Sequence, residues 1–115
     1  MKDIEQAVHE LDRLGVIFTV THEGPGGIER LVVTGPQLVA YARDPQSWLA
    51  SHYGVSRHDY LDWHVDRFTA YCSCKTSSDR PCRNTVPGGK GVSPRRWAEL
   101  QGSKCAAHAA QERAE

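Results

Sequence analysis

Four cysteines and one histidine, gathered in the last 45 residues, constrain this chain more than any other feature. CSCKTSSDRPCRN occupies residues 72–84, and KCAAH follows at 104–108. A chain of 115 residues has room for one small core of modest stability, so a crosslink or a bound ion would matter to it. The opening MKDIEQAVHELDRLG is acidic and amphipathic, unlike a secretion signal, which points to a cytoplasmic setting. Lasting disulfides are uncommon there, and the usual redox spacing Cys-x-x-Cys is missing. A metal site is the natural expectation. Cys105 and His108 are three apart, so one helical turn can aim both at one ion. Cys82 and either Cys72 or Cys74 complete four sulfur and nitrogen donors, the set that zinc takes when its role is structural. If residues 71–74 are extended, Cys72 and Cys74 share a face, so alternation leaves the choice between them open.

The same residues resemble a motif of small, mostly uncharacterised bacterial and phage zinc-binding proteins. In that motif a cysteine, nine intervening residues, a Pro-Cys pair, a nearby Asn and a later Cys-x-x-His bind one zinc. The resemblance covers roughly residues 72–108. It implies Cys72, Cys82, Cys105 and His108 as ligands, with Pro81 and Asn84 in matching places. This chain departs from the pattern at Cys74, where a small residue is usual, and near Asp79 and Arg80, where a glycine is usual. Cys74 is therefore an alternative ligand. The resemblance brings no established biochemical activity. Its phage and mobile-element context implies a small inhibitor, for example of a bacterial defence complex.

The remainder reads as a small single α+β domain. Asp3 is placed to cap a helix running to about Leu14, where Ile4, Val8 and Leu11 form a stripe. VIFTVT (16–21) and IERLVVT (28–34) read as strands of a hairpin, with HEGPGG between them. Central helices follow at 35–44, through QSWLASHYG to Gly54, and at 57–66 with Ser56 as cap. FTAYC (68–72) reads as a strand, 93–102 as a short helix and 105–114 as a last helix or turn. The expected fold is an N-terminal helix, a β-hairpin, central helices and a zinc-stabilised C-terminal subdomain. Charge divides it. Residues 1–70 carry six Lys or Arg against ten Asp or Glu, whereas residues 71–105 carry seven against two. The chain thus splits into an acidic portion, 1–70, and a basic zinc-binding subdomain, 71–115, packed as one unit.

No catalytic residues are expected. The motifs H-E-x-x-H and H-x-E with P-C-x-x-C are missing, and four protein ligands fill a tetrahedral ion. A small zinc hydrolase using three of them is a lesser alternative. The segment HDYLDWHVD (58–66) reads as a packing or partner surface rather than a second metal site. The leading expectation is a non-enzymatic protein-interaction protein, its separated charges orienting the partner. Trp48, Tyr53, Tyr60 and Trp63 are the candidate protein-binding residues. The alternative is a zinc-dependent nucleic-acid-binding protein. There Arg80, Arg83, Arg95 and Arg96 would contact phosphate, and Trp97 would stack on bases. No apolar run suits a membrane span, and nothing in the sequence sets the oligomeric state.

Overall fold

Most helices of this chain begin where a side chain can accept one of the first unpaired backbone N–H groups. In the computed structural model, which describes residues 2–76 and 78–114, that rule places four of the six helices. Helix α1 spans Lys2–Arg13, and strands β1 (Phe18–Gly24) and β2 (Gly27–Val33) follow. Thr34 then opens α2 (Gly35–Arg43) with a capping box: its hydroxyl accepts from the Gln37 N–H, and the Gln37 side chain accepts from the Thr34 N–H. Asp44 ends α2 and caps α3 (Pro45–Tyr53) through the Ser47 N–H. Ser56 caps α4 (Arg57–Val65), and Ser93 caps α5 (Pro94–Glu99). Helix α6, Ala106–Ala114, closes the order. The chain is a small α+β fold, as its sequence predicts.

Several expected boundaries move, among them the start of β1, now Phe18, and the end of α5, now Glu99. Asp3 lies inside the first turn of α1 rather than before it. The hairpin turn contracts to Pro25-Gly26, which draws His22 and Glu23 into β1 in register with Glu29 and Ile28. Arg67 and Phe68 take left-handed φ values of 54° and 66° and turn the chain out of α4, so 68–72 does not begin as a strand.

Strands β1 and β2 form an antiparallel pair, and β1 turns alternate side chains, among them Val20 and His22, inward. The main core is built by the later elements, with Leu31 of β2 packed against it. Leu49 and Ala50 of α3, Tyr60 and Trp63 of α4 and Trp97 of α5 meet Ala70 and Val86, which come from the cysteine-bearing region. The acidic and basic portions therefore share one core. Two indoles fasten it: Trp63 Nε1 donates to the Val92 carbonyl at 2.8 Å, and Trp97 Nε1 to Asp66 Oδ2 at 3.3 Å. A second, separate cluster holds Cys72, Cys82 and Cys105, with Cys74 against it.

The molecule is drawn out to 65 × 21 × 18 Å with a radius of gyration of 19.2 Å. A compact chain of this length would have about 13 Å. Helices α1 to α5 pack chiefly on their neighbours in sequence. Among the described residues no helix is long and apolar enough to cross a membrane.

Candidate metal centre

The segment from Ala70 to Val86 doubles back on itself in one antiparallel register. Tyr71 pairs with Thr85 and Lys75 with Pro81. Backbone bonds between these pairs run from Val86 N to Ala70 O at 3.0 Å, Cys72 N to Asn84 O at 2.8 Å and Cys82 N to Cys74 O at 2.9 Å. Cys72 therefore stands opposite Asn84, and Cys74 opposite Cys82. Alternation does the rest. Ala70, Cys72, Cys82 and Val86 are buried and Cys74 is half-buried, with Asn84 of the same face exposed, while Tyr71, Ser73, Lys75, Pro81, Arg83 and Thr85 are all exposed. One face of this ribbon is thus lined with sulfur. Asp79 takes a left-handed φ of 60° in its bend.

The remaining donors arrive from α6. Cys105 immediately precedes the helix, where the His108 backbone N–H reaches its sulfur, and His108 follows one turn on. His108 Nδ1 lies 3.2 Å from both Cys72 Sγ and Cys105 Sγ. With Cys82, these donors form a group whose ligand atoms all lie within 4.8 Å of one another. Four donors about 2.3 Å from a common centre in a tetrahedron stand about 3.8 Å apart, so the group can hold one metal ion. Cys74 is adjacent to this group but outside it. The cysteines form no disulfide.

Electrostatics prepares the donors for a cation. Burial pushes the Cys72 thiol up. Hydrogen bonds from the Cys105 and Cys74 backbone, and from the Cys105 and Cys82 side chains, outweigh it and bring Cys72 down to about 6. The Cys105 thiol is lowered chiefly by the His108 N–H at the helix start, against the effect of burial. Asn84 Nδ2 adds a donor 3.8 Å from Cys105 Sγ. His108 is raised by its hydrogen bonds with the Cys105 and then the Cys72 side chains, against the effect of burial. Cys82 behaves differently. The Asn84 backbone lowers it, but burial and the Cys72 and Cys105 side chains leave it raised overall. Cys74 is raised as well, first by burial and then by Cys72.

Other expected site residues lie elsewhere. Tyr60, Trp63 and Trp97 are 3%, 1% and 3% exposed, so none presents a face to a protein or a base. Their indole and ring surfaces fill the core instead. Trp48 is half-buried, stacked on His52 with centroids 5.2 Å apart. Tyr53 is also half-buried and hydrogen bonds through its hydroxyl with His22 Nε2. Burial and then Glu29 push its phenol up to about 12. Arg95 and Arg96 pair with Glu99 of their own helix at 3.7 and 3.4 Å. Arg80 and Arg83 are exposed and have no ion-pair partner among the described residues. The segment 58–66 holds a surface pair, His58 with Asp62 at 3.0 Å.

Sequence reasoning assigned no role to His22 or Arg67. His22 is buried, lies 3.2 Å from Glu29 Oε2, and has no hydrogen-bond partner at Nδ1. Only its alternation with Val20 along β1 hints at burial. Arg67 and Arg83 border an open groove of about 500 Å³ beside the sulfur cluster, with Val65, Tyr71 and Gln101 also on its walls. No protein family, curated protein or solved structure matches the chain.

Proposed function

We propose that this chain is a non-enzymatic protein-interaction protein whose C-terminal ribbon is held by one structural zinc ion. Three sulfurs and one nitrogen gathered within 4.8 Å of one another suit zinc's borderline softness. Three of the four donors are buried, and all four together would fill the coordination sphere of a tetrahedral ion without a position for a reacting water. That arrangement supports a structural ion over a hydrolytic one.

The interaction reading is carried by the outward face of the hairpin. Ile28 and Val32 stand there opposite Glu23 and Thr19, with Ile17 just before β1. These three are 71%, 74% and 77% exposed. Scattered apolar residues on a surface are ordinary, but this row follows one face of a sheet that has two strands among the described residues. Apolar contacts beside unpaired strand edges suit a protein partner that adds a strand. Nucleic acid offers no comparable fit there. The basic side supports the second reading, in which Arg67 and Arg83 flank Tyr71 at the groove. That reading loses its stacking residue with the burial of Trp97.

Two measurements test the proposal. Elemental analysis of the native protein is expected to give close to one zinc per chain, and a metal-free protein with freely reactive thiols would overturn the zinc assignment. Partners recovered from the native cell are expected to survive nuclease treatment and to be lost with I28E/V32E. Recovery that disappears with nuclease, and is indifferent to those substitutions, would move the function to nucleic-acid binding.

A further inference from the structure

Strand β2 has an open edge, and the edge carries an unpaired charge. The two-residue turn closes on Gly24 and Gly27. The hydrogen-bonded pairs of the hairpin are therefore that pair and every second one beyond it, including His22–Glu29 and Val20–Leu31. Ile28, Arg30 and Val32 belong to the intervening pairs, which turn their N–H and C=O groups away from β1. None of the three makes a backbone bond elsewhere among the described residues, and all three are exposed. Helix α2 packs against the hairpin through β1. The three side chains share the outward face, so Arg30 stands between two apolar neighbours. Its guanidinium has no ion-pair partner among the described residues. Thr21 is opposite it on β1, and Glu29 lies on the other face, 3.2 Å from His22 Nε2.

We propose that this edge takes a strand of a partner protein that carries a carboxylate opposite Arg30, with an apolar residue two positions to either side. The inference rests on the strand-adding reading above and gives that partner its chemistry. Opposed residues of paired strands lie on one face, and residues two apart along a strand share it. An added strand therefore sets its alternate side chains against Ile28, Arg30 and Val32. Opposite charges facing each other there attract, and like charges repel. A second copy of this chain does not meet the requirement. Two copies of β2 paired antiparallel about a two-fold axis keep outward residues against outward residues. Within β2, Arg30 can then face Ile28, Val32 or another Arg30, and never Glu29. The first two leave its charge beside an apolar side chain, and the third sets like charges together. Arg30 thus blunts the edge toward its own kind, as charged residues on edge strands do, and keeps it open to an acidic strand.

The test uses the full chain, isotope-labelled for amide NMR, and three heptapeptides with both ends capped. Each reads Thr-Val-Thr-x-Thr-Val-Thr, with x as Glu, Gln or Lys, a pattern that is the same in either strand direction. The Glu peptide is expected to shift the amides of Ile28, Arg30 and Val32 and to bind about fivefold more tightly than the Lys peptide. Added salt is expected to narrow that gap. R30E is expected to reverse the order and R30Q to level it, while both keep the wild-type spectrum away from the hairpin. Equal binding of the three peptides to wild type would overturn the acidic preference and leave strand addition standing. Should no peptide move these amides at millimolar concentration, strand addition and the acidic preference fall together. A wild-type dimer held at β2 would also overturn the proposal, because a second copy would then be the occupant.

Discussion

Asn84 does two jobs at the candidate metal centre. Its carbonyl accepts from the Cys72 N–H at 2.8 Å, and its side-chain amide points at Cys105 Sγ. Such outer contacts orient donors and tune their basicity, and losing one commonly lowers metal affinity about 10- to 100-fold. N84A removes the amide and spares the backbone bond. A competitive chelator titration is expected to show a loss in that range without loss of helix content. Protonation gives a second prediction. Cys72 is held at about 6 against the ordinary 9.0, so between those values the unfolded chain binds more protons than the folded one. Its contribution to stability is complete above the unfolded value and is lost as pH falls through about 6. His108 runs the other way: raised above 6.5, it contributes below that value and loses its contribution as pH rises through its folded pKa. A metal needs the thiolate and the neutral imidazole, so loading releases protons. Zinc retained after dialysis against chelator is expected to fall steeply as pH drops through about 6. The donor types and their spacing were legible in the sequence. The role of Cys74 was not, because alternation puts it on the same face as Cys72. Its place is set by the register with 80–86 and by the approach of α6, which are tertiary facts.

Helix starts were more readable than helix burial. Ser56 and Ser93 cap where their sequence says they should, because the acceptor and the N–H it serves lie three residues apart. S93A is therefore expected to destabilise the protein by about 1 kcal/mol in a urea titration, since α5 has few turns to share the loss. The tryptophans show the limit. Trp63 and Trp97 sit in short helices with weak apolar periodicity, and what admits their indoles to the core is a polar partner 29 or 31 residues away. No local pattern could announce the Val92 carbonyl or the Asp66 carboxylate. The segment 68–72 was misread for a related reason. Aromatic and β-branched residues favour a strand, but the left-handed Arg67 and Phe68 spend its start on a turn.

Two buried clusters at the scale of the whole molecule imply two levels of stability. The aromatic core joins α3, α4 and α5, whereas the sulfur cluster has no large apolar side chain of its own. Removal of the metal is expected to expose the second before the first. Hydrogen exchange with a chelator present should lose protection at the Cys72 and Cys82 amides while the amides of α3 and α4 keep theirs. Uniform loss would mean that the clusters unfold as one. The drawn-out shape gives a further check: X-ray scattering of the monomer should return a radius of gyration near 19.2 Å rather than about 13 Å.

The metal clasp also has a mechanical consequence. With an ion held by both Cys72 and His108, tension applied at the two ends of the chain would pass through the ion and bypass everything between them. The chain from Cys72 to His108 is stored length, roughly 120 Å of it if fully extended. Pulled from its ends, or threaded from the C-terminus by an unfolding machine, the loaded protein should yield that length in a late step of its own, which chelation would abolish.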